Sequence, residues 1–163
     1  MAATPTDHTA ALTLLLQTVG LIVGWVFVHQ LSKRRDIDKE RRSLISEAAE
    51  SQIETVNALL LESRRYHIGA LRDQELELKI KMRLQDLAES IGALRRISQD
   101  ETSLKNSINS IKNLRRSITG KHFEDEHTGS LTERDIIMET IALEALNAKR
   151  ALLTLSHAQY RQP

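Results

Sequence analysis

The chain changes its hydrophobic rhythm once, and sharply. From Ala10 to Val28 it runs for 19 residues without a charge. Beyond Lys33, apolar residues recur at every third or fourth position and charged residues fill the gaps. A 19-residue helix rises about 28 Å, close to the roughly 30 Å of hydrocarbon in a bilayer. The pattern predicts a transmembrane helix over residues 10–31, preceded by a short tail, 1–9. A cleaved signal peptide would need a basic leading region and a small-x-small cleavage site. The leading MAATPTDHT has no Lys or Arg, and the exit VFVHQLSKRR has no Ala-x-Ala, so the span is read as an uncleaved anchor.

The remaining residues, 32–163, predict helices alone. Ile45, Ala49, Ile53, Val56 and Leu60 advance in steps of four and three, the stripe of a core-facing helix over about 33–66. No Pro or Gly lies between Leu31 and Ile68, so the membrane helix is expected to continue into this one without a break. Leu76, Ile80, Leu84, Leu87, Ile91 and Leu94 predict a second helix, about 71–97, close to a heptad repeat. Ser98 and Glu101 are spaced as a capping box before a third helix, about 102–119, with Leu104, Ile108, Ile111 and Ile118 inward. Gly120 is the candidate C-cap. After a loop over 121–129, Ser130 and Glu133 form a second capping-box pattern. The last helix, about 131–159, has Ile137, Ile141, Ala145, Ala148, Leu152 and Leu155 inward. Such stripes bury only against one another or against a second copy. The expected fold is all-α: one N-terminal transmembrane helix, then a helical bundle of about four helices with a coiled-coil-like hairpin.

Composition agrees with helices. Aromatics make up 3% of the 163 residues, with six glycines and two prolines, little turn and strand material for a sheet protein. The absence of cysteine excludes disulfides, thiolate metal sites and thiol nucleophiles. Net charge is +1, which gives no global field for nucleic acid. The average conceals an asymmetry, because all 23 Lys and Arg lie at or beyond Lys33. Lys33, Arg34, Arg35, Lys39, Arg41 and Arg42 follow the span directly. By the positive-inside bias they place residues 32–163 in the cytoplasm and the N-terminus outside. The expected location is the cell (inner) membrane, single-pass, of a bacterial or phage-encoded protein.

Candidate chemistry is sparse. Thr13, Gln17, Gly20 and Gly24 share one stripe of the span. Small residues allow close helix approach, and a membrane-buried Gln seeks a partner, so this stripe is the expected transmembrane association face. No acid lies between Thr102 and Lys121. Lys112, Arg115 and Arg116, together with Lys33, Arg34 and Arg35, are the expected contacts for anionic lipid or phosphate. His122, Glu124 and His127 have metal-ligand chemistry, but on a glycine-flanked loop they lack rigid support. A solvated acidic loop is the expected reading there, with no metal and no cofactor. Arg150 and His157 share one helix face. Their spacing resembles the Arg-x4–6-His motif of the helical HEPN ribonucleases, over this stretch only and with Ala151 where that family usually has a polar residue. The resemblance implies RNA cleavage through these two side chains.

No phosphate-binding loop, dinucleotide fingerprint, G-x-S-x-G or HExxH is present. The leading expectation is a membrane-anchored, non-enzymatic interaction module, homo-oligomeric or docking a membrane or cytoplasmic protein. The alternatives are a membrane-bound effector acting through Arg150 and His157, or a small oligomeric pore-forming protein. Nucleic acid is not an expected partner.

Overall fold

The structure, a computed structural model, describes residues 5–120, 123–124, 131–132 and 134–160; among residues 5–27, side chains are described only at 21, 24 and 25. The described residues form four helices and no strand: α1 (Pro5–Ile68), α2 (Gln74–Leu94), α3 (Glu101–Ile118) and α4 (Ile136–Ala158). The chain divides into two compact units, Met1–Glu40 and Arg41–Pro163.

In the first unit the residues from Pro5 onward are helical. Leu21, Trp25 and Val28 are exposed, and the Trp25 and His29 rings stack with centroids 5.4 Å apart. Among the described residues no helix is long and apolar enough to cross a membrane. Most side chains of the uncharged stretch, Thr13, Gln17 and Gly20 included, lie outside the described residues.

The second unit is a four-helix bundle whose direction can be read from its cross-links. Arg83 of α2 reaches Glu62 of α1, while Glu77, earlier in α2, meets Tyr66, later in α1, so these helices run antiparallel. Ser46 pairs with Ser156 at 3.0 Å, and Lys149 donates to Asn57 at 3.0 Å, so α4 also runs antiparallel to α1. α3 packs on α2 and α4. Its C-terminal Ile118 carbonyl meets His67 at the C-terminal end of α1. The order is therefore up-down-up-down.

Each helix contributes one stripe to the core, and the stripes keep a seven-residue repeat. In α1 the seam is Ile45, Ala49, Gln52, Val56, Leu59, Ser63 and Tyr66, with Glu62 and His67 buried beside it; in α2 the buried positions are Glu77, Ile80, Leu84, Leu87, Ile91 and Leu94. Steps of three and four in alternation suit helices that cross at about 20°, knobs into holes. Five residues expected inward are only half-buried: Ile53, Leu60, Leu76, Ile108 and Ile137. Gln52, Leu59, Glu77, Ser107 and Met138 are buried instead. Counting apolar residues alone steps over polar members of a seam, and the count then slips by one residue.

The helix ends follow local chemistry. Asp73 caps α2 by accepting from the Leu76 N–H at 3.0 Å. Beyond Leu94 the chain tightens into i→i+3 bonds, Ile97 N–H to the Leu94 carbonyl at 3.1 Å among them, so α2 ends with its last stripe residue, Leu94, three residues before the expected 97. Asp100, not Ser98, caps α3. Its carboxylate accepts the Ser103 N–H at 3.0 Å and the Ser103 hydroxyl at 2.6 Å, two donors that one serine oxygen would serve less well. Thr119, rather than Gly120, is the C-cap of α3. Glu133 and Ser130 lie outside the described residues. α4 begins at Ile136, after Asp135 has accepted the Thr132 N–H at 2.6 Å.

Candidate functional site

The densest polar chemistry gathers where α1 ends and α2 begins. Glu62, Tyr66, His67 and Glu77 are all nearly inaccessible there. The last turns of α1 carry the first three, and the 69–73 connection brings the first turn of α2 back against them. A buried carboxylate is tolerated only with compensating donors. Glu62 Oε1 pairs with Lys79 at 3.0 Å and accepts from Arg83 Nε at 3.1 Å, while Oε2, with no hydrogen bond of its own among the described residues, lies 2.9 Å from the same Arg83 nitrogen as an ion pair. Glu77 receives Arg72 at 2.9 Å and Lys81 at 2.8 Å. The hydrogen bond from Arg72, then that from Lys81, holds the Glu77 carboxyl below its ordinary range against the opposing effect of burial. Lys81 also pairs with Glu124, and its ammonium is held above its ordinary range by Glu124 first and Glu77 second.

Two described residues beyond α3, Phe123 and Glu124, lie against this centre. Glu124 adopts a left-handed backbone, φ 70°, unusual for a residue with a Cβ. Its N–H donates to the Tyr66 hydroxyl at 3.1 Å. Phe123 packs on the Tyr66 ring with centroids 4.9 Å apart, and Lys81 lies 5.8 Å from the Phe123 ring centre. His67 Nε2 donates to the Ile118 carbonyl at 3.1 Å, while the His67 carbonyl accepts from Leu131 at 3.0 Å. Both carboxylates are bound by cations, and the imidazole is enclosed. Chemically, the cluster ties α1 and α2 to Phe123 and Glu124 beyond α3.

This centre was not legible as a site in the sequence. The signal was present in the spacing: Glu77 stands three residues before Ile80, where a heptad demands a core residue, and Tyr66 continues the α1 seam.

The residues singled out by the sequence lie elsewhere. Gly24 is exposed, with open space where a Cβ would stand. Lys33, Arg34 and Arg35 are exposed in the first unit. Lys112, Arg115 and Arg116 are exposed on α3. Lys112 joins Arg95 and Lys105 in lining an open groove of about 840 Å³ between the α2 end and α3, with Ser98, Asn106 and Asn109 as further donors and Glu101 as the acid among them. Arg115 and Arg116 are not part of that lining. Of the metal-type trio, His122 and His127 lie outside the described residues, and Glu124 is engaged with Lys81. No group of three or more potential metal ligands occurs among the described residues. Arg150 and His157 are both exposed on α4.

Comparison with known family models, with curated proteins and with solved structures gave no match to this chain.

Proposed function

We propose that the chain is a single-pass membrane-anchored helical interaction module that self-associates or docks a partner protein at the cytoplasmic face of the cell (inner) membrane. The observation that carries this reading is the order of two sequence features. The uncharged run Ala10–Val28 is followed at once by six cations between Lys33 and Arg42. Support comes from the exposed side chains of Leu21, Trp25 and Val28, spaced four and three apart on α1. A helix showing such a stripe is stable in lipid or against another span and costly in water. Trp25 and His29, stacked on the side of the basic cluster, have the amphipathic rings favoured at a membrane interface. Lys33, Arg34 and Arg35 then meet anionic headgroups, at about 1 kcal/mol per cation near the surface.

Two measurements test the reading. After alkaline carbonate washing, the intact chain is expected to stay in the membrane pellet. Protease is expected to digest residues 41–163 in inverted vesicles and to leave them whole in intact cells. Release by carbonate, or digestion from outside, removes the anchor or its direction. Crosslinking and sizing in mild detergent test the interaction half: a strict monomer with no co-purifying protein ends it.

A further inference from the structure

We infer that the outward face of α4 is a self-contact, on which two copies of this chain pair their α4 helices antiparallel. The inference rests on the self-association reading above and names its surface and its partner.

α4 is apolar on two opposite sides. Its inner stripe, Met138 to Leu155, is in the core. Its outer side carries Ile136, Leu143, Leu146 and Leu153, with Tyr160 just beyond the helix, all between 40% and 79% exposed. A helix apolar all round is ordinarily covered all round. Within the second unit the excess belongs to α4: among the described residues there, α1 exposes only Leu44 and Leu61 as large apolar side chains, α2 only Leu78 and Met82, and α3 none. Scattered exposed leucines need no explanation, whereas a stripe along one helix does. This stripe is also periodic. Glu139, Leu143, Leu146, Arg150, Leu153, His157 and Tyr160 advance by four and three in alternation, the same repeat that builds the inner seams. All of them are exposed.

The charges on the stripe choose the occupant and its direction. An antiparallel copy centred at Ala148 sets Glu139 against the partner's His157, Leu143 against the partner's Leu153, and Leu146 against the aliphatic stem of the partner's Arg150. Carboxylate thus meets imidazole and apolar meets apolar, with the guanidinium free to reach solvent. A parallel copy sets Glu139 against itself and Arg150 against itself, like charges that specify against that arrangement. The stripe is therefore complementary to its own reverse. α4 has 23 residues, about 34 Å of helix and three heptads of contact.

The chain has no cysteine, so single introduced cysteines report the geometry. Full-length Leu143→Cys and Leu153→Cys chains, mixed in mild detergent and oxidised, are expected to give mainly the mixed 143–153 disulfide. Dominant 143–143 and 153–153 products, or no crosslink, overturn the antiparallel contact. In sedimentation equilibrium, the Leu146→Glu/Leu153→Glu double variant is expected to weaken association about tenfold or more, with helical content unchanged. Leu78→Glu/Met82→Glu on α2 is expected to leave association as it was. A dimer that survives the α4 double variant, or one lost equally in the α2 variant, overturns this inference while leaving the module reading in place. A wild-type chain that is monomeric throughout overturns this inference and the self-association it rests on, and leaves the anchor standing.

Discussion

At the scale of single residues, the bundle depends on a few buried polar groups whose partners are close in space and distant in sequence. Glu77 is the clearest case. Its carboxylate binds Arg72 and Lys81, two cations that remain partly solvated. Replacing it by Gln is expected to cost about 1–3 kcal/mol at neutral pH, measured by urea unfolding. The folded-state carboxyls of Glu77 and Asp100 are both lowered, by Arg72 and by Ser103 respectively. The unfolded chain therefore takes up protons first as pH falls. Their stabilisation is complete above the ordinary carboxylate range, near pH 4, and is lost as pH drops through the lower folded values. Stability is expected to fall on going from about pH 5 to about pH 3, and to fall less in Glu77→Gln. An unchanged slope would mean that Glu77 is not ionised in this pairing. Ser63 gives the opposite expectation. Its hydroxyl is fully buried and makes no hydrogen bond among the described residues. A buried donor without a partner is a cost, so Ser63→Ala is expected to be neutral or stabilising by up to about 1 kcal/mol. A clear loss of stability would reveal a bond to that hydroxyl.

At the scale of elements, the contact of α3 with α4 is made by small residues. Ser107, Ala145 and Ala148 are completely buried, and the single Ser107 hydroxyl proton is shared between the Ser103 carbonyl at 2.9 Å and, across the helix contact, the Ala151 carbonyl at 3.1 Å. The α3 seam can approach α4 so closely only because neither helix presents a long side chain there. Ala148→Leu is expected to destabilise by about 1–3 kcal/mol through overpacking, read as a lower unfolding midpoint of the intact chain. An unchanged midpoint would mean that α3 and α4 lie further apart than described.

At the scale of the whole molecule, every buried core residue among the described residues lies between Ile45 and Leu155, inside the second unit. A chain beginning at Arg41 therefore carries every described core residue and the polar lock. It is expected to stay in aqueous solution, with cooperative urea unfolding followed identically by circular dichroism and by hydrogen exchange. Broad, non-coincident transitions would show that the bundle needs residues 1–40 to pack. If the outward face of α4 is a self-contact, this shortened chain is also expected to dimerise through it.

What the sequence determined by itself was whatever repeats locally. Apolar steps of three and four made the chain helical, and the near-absence of turn residues kept the helices long. The 19 uncharged residues marked a stretch unlike the rest, because charge is costly in lipid and ordinary in a solvated helix. The tertiary structure decided which residue of each near-miss faced inward. Leu59 is buried rather than Leu60 and Gln52 rather than Ile53, because a seam is set by the neighbouring helix and not by hydrophobicity alone. It also decided the polar lock. Glu62 meets Arg83, Tyr66 meets Glu124, and His67 meets Ile118 across separations of 21, 58 and 51 residues, pairings that no local period encodes.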